Sequence, residues 1–161
     1  MTMTSQLPSC TFLMLWLAMS AATPSVQAGE QRLHGQVLYV PIYSKVPYGD
    51  KGVRINLTAT LSVRNTDRTA QVTIKRIDYF GADGKLLRSY LKEPTLLKPM
   101  ASVEHIVEES DRSGGISASF LVEWESASAV SPCLVEAVMV NSSYNRGIAF
   151  SSPARVLEEK P

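Results

Sequence analysis

Cysteine is scarce in this sequence, since only Cys10 and Cys133 occur among its 161 residues. Cys10 lies in an N-terminal segment that we expect to be removed, which leaves Cys133 as the only thiol of the remaining chain. A single thiol excludes an intramolecular disulfide, so the hydrophobic core must hold the fold without covalent help. We interpret Cys133, which follows Pro132 and precedes Leu134, as a small half-buried apolar side chain at a strand start.

Neither basic nor acidic residues are in large excess. The chain has 16 Lys and Arg residues against 15 Asp and Glu residues, which gives a formal net charge of +1. Because nucleic-acid binding normally requires a strongly basic face, this balance argues against a nucleic-acid partner. It also gives no reason to expect strong attraction to an anionic lipid surface.

The first 28 residues lack charged side chains altogether. Residues 11–22 (TFLMLWLAMSAA) form an apolar run that, at about 1.5 Å per residue, is too short to span a hydrocarbon core of roughly 30 Å. Val26 and Ala28 then stand at the positions that signal peptidase recognises. We therefore expect a signal peptide over residues 1–28, cleaved after Ala28, although its first residues lack the usual Lys or Arg. The mature protein is then periplasmic or secreted.

The remaining residues, 29–161, have the length of a single domain. They contain no apolar run long enough for a transmembrane span. They also contain no segment with a helical period of useful length. What they do contain is a series of short segments in which apolar and polar residues alternate, separated by Gly, Pro, Asn and Asp.

The clearest alternation predicts two long strands. Residues 53–64 predict a half-buried strand whose inward side chains are Val53, Ile55, Leu57, Ala59, Leu61 and Val63. Residues 116–125 predict a second one, with inward side chains Ile116, Ala118, Phe120, Val122 and Trp124. Several such strands at a spacing of about ten residues predict an all-β, antiparallel β-sandwich of the immunoglobulin or fibronectin-III type. A β-barrel is the alternative.

Residues 72–80 predict a further strand that carries an irregularity. Val72 and Ile74 share one parity, whereas Ile77 and Tyr79 share the other. A β-bulge near residues 75–76 would place all four side chains on one face. The Asp83-Gly84 pair that follows is typical of a tight hairpin turn.

Several segments resemble one bacterial family. They are residues 38–44 (LYVPIYS), 49–50 (GD), 57–66 (LTATLSVRNT), 107–111 (VEESD), 113–115 (SGG), 120–124 (FLVEW) and 136–139 (EAVM). Together they are similar to the exported bacterial proteins grouped as domain of unknown function 3124. The resemblance covers nearly all of residues 29–161 and implies a bacterial, exported, single-domain protein. It implies no activity, cofactor or catalytic residue.

An aromatic cluster near the mature N-terminus is the first candidate binding surface. It consists of Tyr39, Tyr43 and Tyr48, interspersed with Pro41 and Pro47. Because Pro41 cannot donate a ladder hydrogen bond, its strand must be an edge strand or carry a bulge there. If exposed, the tyrosines form a strip suited to sugar rings or to a partner protein. If covered, they form a second small core.

The densest acidic cluster is the second candidate surface. Glu108, Glu109 and Asp111 precede a flexible Ser-Gly-Gly sequence. Calcium takes six to eight oxygen ligands, which loop carboxylates and carbonyls can supply in part. The spacing matches no EF-hand, however, so the simpler interpretation is a solvated acidic loop. No metal site is assigned.

Catalytic motifs are absent. The sequence has no Gly-x-Ser-x-Gly elbow, Ser-x-x-Lys pair or phosphate-binding glycine loop. Its two histidines have no zinc-site spacing. His105 shares parity with Val103 and Val107, which predicts a half-buried ring, and His34 is expected in a mobile N-terminal lead.

The sequence therefore predicts a non-enzymatic binding module of the cell envelope, whose partner is an unknown protein or ligand. No cofactor is expected. One alternative is a calcium-dependent or metal-stabilised module that uses the acidic loop. The other is a hydrolase with a dispersed site, in which His105 would meet a carboxylate and a serine or Cys133.

Overall fold

The structure is a computed structural model that describes residues 31–50, 52–141 and 147–161. The expected signal peptide over residues 1–28, its cleavage after Ala28, and Cys10 lie outside these residues. They stay predictions.

The described residues form strands and turns, and they include no helix able to cross a membrane. The strands are β1 (Leu33–Tyr43), β2 (Lys45–Tyr48), β3 (Val53–Asn56), β4 (Thr58–Arg64), β5 (Val72–Phe80), β6 (Leu86–Ser89), β7 (Thr95–Leu97), β8 (Ser102–Val107), β9 (Ser117–Val130), β10 (Leu134–Asn141), β11 (Ile148–Pro153) and β12 (Arg155–Lys160).

The strands form two packed antiparallel sheets and a separate hairpin. The six-stranded sheet has the order β12-β1-β9-β5-β6, with β7 also paired to β5. The four-stranded sheet has the order β11-β10-β4-β8, and β2 pairs with β3. The predicted antiparallel sandwich is confirmed. The barrel alternative is wrong, because each of the two described sheets ends in edge strands instead of closing on itself.

One hydrophobic core lies between the sheets. On β1 the side chains of Leu38, Val40 and Ile42 point into it, and β9 contributes Phe120 and Trp124. Burying each large apolar side chain stabilises the fold by roughly 1.5–3 kcal/mol before entropy is counted. The alternation predicted for residues 118–124 is confirmed. Ile116 lies before β9 and is only half-buried.

The predicted bulge in β5 is also confirmed. The register between β5 and β9 shifts between Ile74 and Arg76. As a result Val72, Ile74, Ile77 and Tyr79 are all completely buried. The extra residue restores the inward direction of the apolar side chains in the second half of the strand.

The single strand predicted over residues 53–64 is wrong. The chain forms two strands there, because β3 leaves the sandwich to pair with β2 while β4 enters the four-stranded sheet. At the junction the Leu57 N–H donates to the Ser44 carbonyl at 2.9 Å. Val53 is 54% exposed and does not face the core. Period-two alternation indicates a strand but does not identify its neighbour.

His34 also differs from expectation, since it lies within β1 and not in a mobile lead. Its Nδ1 is 3.2 Å from the Ser126 carbonyl. The interpretation of Pro41 is confirmed. β12 pairs with β1 only from Gly35 to Tyr39, so Pro41 lies where β1 itself forms the sheet edge.

Candidate functional site

Tyr39 and Tyr43 lie on the outer face of the six-stranded sheet. They have the opposite parity to the buried side chains of β1 and are 40% and 36% exposed. Of the two arrangements that the sequence leaves open, these side chains adopt the exposed one. The two tyrosines thus share one parity along β1 and are both exposed.

The register of the sheet places further apolar side chains beside them. Tyr39 stands opposite Leu121 of β9, and Pro41 stands opposite Ser119, which in turn pairs with Phe80 of β5. We call the outward side chains of Tyr39, Pro41, Tyr43, Leu121 and Phe80 the tyrosine face. It extends over three strands, with Ser119 between Pro41 and Phe80 and Asp78 opposite Leu121.

A ring contact fixes one member of the tyrosine face. The rings of Tyr43 and Phe150 are 5.9 Å apart at an interplanar angle of 56°. Phe150 belongs to β11 of the other sheet and packs against the core. Tyr43 therefore has restricted rotamer freedom, which lowers the entropy cost of placing it in an interface.

The other half of the same outer face carries charges that are already paired. Glu123 lies 3.1 Å from Lys160 and 3.5 Å from Arg76, and Lys75 lies 2.9 Å from Glu125. Such exposed pairs contribute little to stability. They do neutralise the area beside the tyrosine face.

Tyr48 does not belong to this face. It lies on β2, in the hairpin with β3, and pairs with Val53. The hairpin is a different sheet from that of Tyr39 and Tyr43. The structure thus brings two of the three predicted tyrosines together and separates the third.

The acidic loop connects β8 to β9, and its carboxylates are held apart from one another. Asp111 accepts hydrogen bonds from the Ser113 hydroxyl at 2.6 Å and N–H at 2.9 Å, and lies 3.5 Å from Arg88. The Ser113 hydroxyl bond lowers the pKa of Asp111 from its ordinary value, with a smaller effect from Arg88. Glu109 is instead 3.4 Å from Asn141.

This arrangement bears on the calcium alternative. Within residues 31–50, 52–141 and 147–161, no three His, Cys, Asp or Glu side chains come close enough together to hold a metal ion. Glu108 is exposed, and its carbonyl accepts a hydrogen bond from the Asp111 N–H at 2.9 Å. Asp111 and Glu109 thus contact different partners, and the calcium alternative stays a prediction.

The acidic loop nevertheless borders the tyrosine face. The Ser44 hydroxyl donates to the Gly115 carbonyl, and Tyr43 pairs with Ser117. The Ala82 N–H donates to the Gly114 carbonyl at 3.0 Å. Both candidate surfaces from the sequence thus meet at one end of the sandwich, with Tyr43 at the boundary.

His105 is half-buried, as predicted, and its ring packs 4.9 Å from that of Tyr90. Burial lowers the pKa of His105 because the charged ring would lose its hydration. Tyr90 continues this aromatic cluster to Phe120 at 5.7 Å. The ring is therefore part of the packing where the two sheets meet.

The hydrolase alternative requires His105 near an activated nucleophile. Cys133 is buried, and burial raises the pKa of its thiol to about 12, so it is protonated at neutral pH. The cavity lined by Thr69, Gln71 and Ser128 and the cavity lined by His34, Glu125 and Lys160 contain neither His105 nor Cys133.

Sequence reasoning missed Leu121 and Phe80 as members of the tyrosine face. Their outward parity is visible in the sequence, because each adjoins a buried aromatic residue. Their position beside Tyr39 and Pro41 depends on which strands pair and in what register. Single-sequence patterns do not contain that information.

Comparisons with known proteins give a family but no activity. Residues 35–157 match the sequence profile of a family described as "Protein of unknown function (DUF3124)". No curated protein has significant sequence similarity to the chain. Among solved structures, the crystal structure of Thermotoga maritima 1070 is similar at 16% identity and a TM-score of 0.47, covering 78% of this chain and 97% of that one. The family match includes the tyrosine face and the acidic loop.

Proposed function

The chain belongs to the DUF3124 family of proteins of unknown function, and we propose that it is a non-enzymatic binding module of the bacterial cell envelope. Its binding surface in this proposal is the tyrosine face, and its partner is another envelope protein. Export rests on the signal-peptide pattern of residues 1–28.

The observation that carries the proposal is the exposure of Tyr39 and Tyr43 on one rigid sheet face. Tyrosine supplies a large amphipathic contact area with few rotatable bonds, and it is enriched among the residues that dominate binding energy. The charges of Lys75, Glu125, Lys160 and Glu123 beside it are paired internally, and the exposed Arg155 of β12 stands opposite Tyr39.

A protein surface is the partner that fits this geometry. The tyrosine face is part of a sheet surface, and the two described cavities lie elsewhere. Small ligands usually occupy concave sites, whereas protein interfaces bury about 800 Å² of comparatively flat surface on each partner.

The test is a capture experiment with matched variants. The immobilised protein and its Tyr39→Ala/Tyr43→Ala variant are exposed to an envelope extract, and any retained protein is then titrated in purified form. The proposal expects the double variant to bind roughly 30-fold more weakly, as for the loss of a central interface cluster. Melting curves of both proteins establish that the fold is intact.

Ile106→Ala is the control variant. Ile106 is 50% exposed on β8, on the outer face of the other sheet. Removing it should leave binding unchanged. If Ile106→Ala loses the partner while the tyrosine variant keeps it, the binding surface is the four-stranded sheet and the proposal is wrong.

A further inference from the structure

A long irregularity in β9 opens a groove at the far end of the six-stranded sheet. Leu33 pairs with Val130 and Gly35 pairs with Glu125, so residues 126–129 (SASA) stand opposite His34 alone. An insertion of this kind leaves residues unpaired and bends the strand, and such bulges are frequent beside functional sites.

Two cavities meet above this insertion. One has a volume of about 360 Å³ and the other about 370 Å³, and they share Thr73, Ser126 and Ala127 as lining residues. We call the combined space the bulge groove. Thr69 and Gln71 line the first cavity, and His34, Glu125 and Lys160 line the second.

The bulge groove is held in place from both sides. The Ser126 hydroxyl donates to the Gln71 carbonyl at 3.1 Å, and the Ser126 carbonyl lies 3.2 Å from His34 Nδ1. The Arg32 guanidinium donates to the Ala129 carbonyl from Nη2 at 2.9 Å and from Nε at 3.1 Å. Arg32 is itself anchored 3.1 Å from the buried Asp67 carboxylate. The insertion is therefore preorganised, which reduces the ordering cost of binding.

The chemistry of the lining is polar and nearly neutral. Hydroxyl groups of Thr73 and Ser128 and the amide of Gln71 offer both donors and acceptors, whereas the Thr69 hydroxyl already donates to the Asp67 carboxylate at 3.0 Å. The two charged lining residues are each compensated outside the groove, because Glu125 pairs with Lys75 and Lys160 pairs with Glu123. An anionic ligand would need an unpaired cation in the lining, and a flat aromatic ligand would need an apolar slot. The lining residues provide neither.

We infer that the bulge groove binds a neutral, polyhydroxylated ligand of the saccharide class. The hydroxyl and amide groups of Thr73, Ser128 and Gln71 match the alternating donors and acceptors of a sugar, and Ala70, Ala127 and Pro99 add apolar surface for its C–H groups. The cavity volumes lie at the lower end of the range for small-ligand sites. This site is separate from the tyrosine face and does not depend on the function proposed above.

The test is an NMR titration of the isotope-labelled full chain with maltotriose and, in a separate experiment, with chitotriose. Each trisaccharide is added up to about 10 mM, so that dissociation constants in the millimolar range are detected. Amide NMR shifts are expected to concentrate in residues 69–73 and 126–129 for at least one of the two. Ala127→Trp fills the groove from an exposed position and should abolish these shifts. Thr73→Val removes one hydroxyl at nearly constant volume and should weaken binding about five- to tenfold.

Control titrations decide between the remaining outcomes. The Tyr39→Ala variant should bind the saccharide as tightly as the unmodified chain does. A failure of the saccharide site can then be distinguished from a failure of the function proposed for the tyrosine face. Sodium sulfate should cause no shift in the groove. The inference is wrong if neither trisaccharide perturbs these amides, if sulfate alone does, or if the saccharide shifts centre on the tyrosine face.

Discussion

At the residue scale, Asn65 and Asp67 form a buried polar junction at the end of the sandwich that carries the bulge groove. Asp67 accepts hydrogen bonds from the N–H groups of Thr69 and Ala70 at 2.9 Å each and of Ser131 at 3.2 Å. Asn65 donates to the carbonyls of Ala70 in the β4–β5 loop, Leu97 at the end of β7 and Lys98 directly after it. The pair joins loops that are distant in sequence, so a charged residue here has a structural role.

The Asp67 carboxylate should make the stability of the fold depend on pH. Hydrogen bonds from Thr69, Ala70 and Ser131 hold the pKa of Asp67 well below its ordinary value. Because the folded pKa is lower than the unfolded value of about 3.9, the stabilisation is present above about pH 5 and is lost as pH falls further. Urea unfolding between pH 3 and 7 should show this loss, and Asp67→Asn should show a shallower one.

Asp111→Asn is the comparison for this prediction. Asp111 is also a carboxylate of lowered pKa, but it lies in a loop outside the junction. Its substitution should change the pH dependence less than Asp67→Asn does. Equal slopes for Asp67→Asn and the unmodified chain would show that other carboxylates dominate acid unfolding.

At the element scale, the connection between β8 and β9 comes into close contact with the core. A side chain at Gly114 would meet the hydroxyl of the fully buried Tyr79 and would lie 2.8 Å from Cβ of Ala118. There is no room for a side chain at position 114, so the position requires glycine. The absence of a side chain allows the acidic loop to pack directly against the end of the core.

Gly114→Ala should consequently destabilise the fold by about 1–3 kcal/mol, the usual cost of overpacking. Tyr79→Phe removes the hydroxyl, so the double variant should recover part of that loss in a double-mutant cycle measured by urea unfolding. Gly147→Ala is the matched control, since nothing lies within 4 Å of a side chain there. Additive effects of the two substitutions would contradict the predicted contact.

Element-scale features show how far the sequence predicts this fold. The β5 bulge and the alternation of β9 were predictable because each is expressed in the parity of neighbouring side chains. The division between β3 and β4 was not, because alternation continues across Leu57 while the partner strand changes. The tyrosine face was predictable only along β1. Its other members come from β9 and β5, and the bulge groove involves register irregularities between strands far apart in sequence.

At the scale of the whole molecule, β12 joins the end of the chain to its first strand. Val156 pairs with Leu38 and Glu158 pairs with Val37, with a register shift between them. The Ala154 N–H donates to the Val135 carbonyl at 3.0 Å, at the point where the chain crosses from one sheet to the other. The six residues of β12 are all exposed, yet they cover part of the edge of β1.

A chain that ends at Ala154 should therefore fold less stably, by at least about 2 kcal/mol, because several ladder hydrogen bonds are lost. It should also associate more readily, since it exposes the edge of β1. Urea unfolding and light scattering measure the two effects. Deletion of Pro161 alone, which follows the strand, should change neither. A truncated chain of unchanged stability would show that β12 contributes no net stabilisation.

The position of β1 in the sheet also determines when the domain can fold. β1 lies near the start of the chain, but its two partners are residues 117–130 and 155–160. Pairing over such separations makes folding slow, because a long loop must close before any contact stabilises it. In an emerging chain, the first strand thus has no neighbour until most of the sequence is available. If the chain is exported as proposed, late pairing of β1 would favour passage of the unfolded chain through a translocation channel before the domain folds.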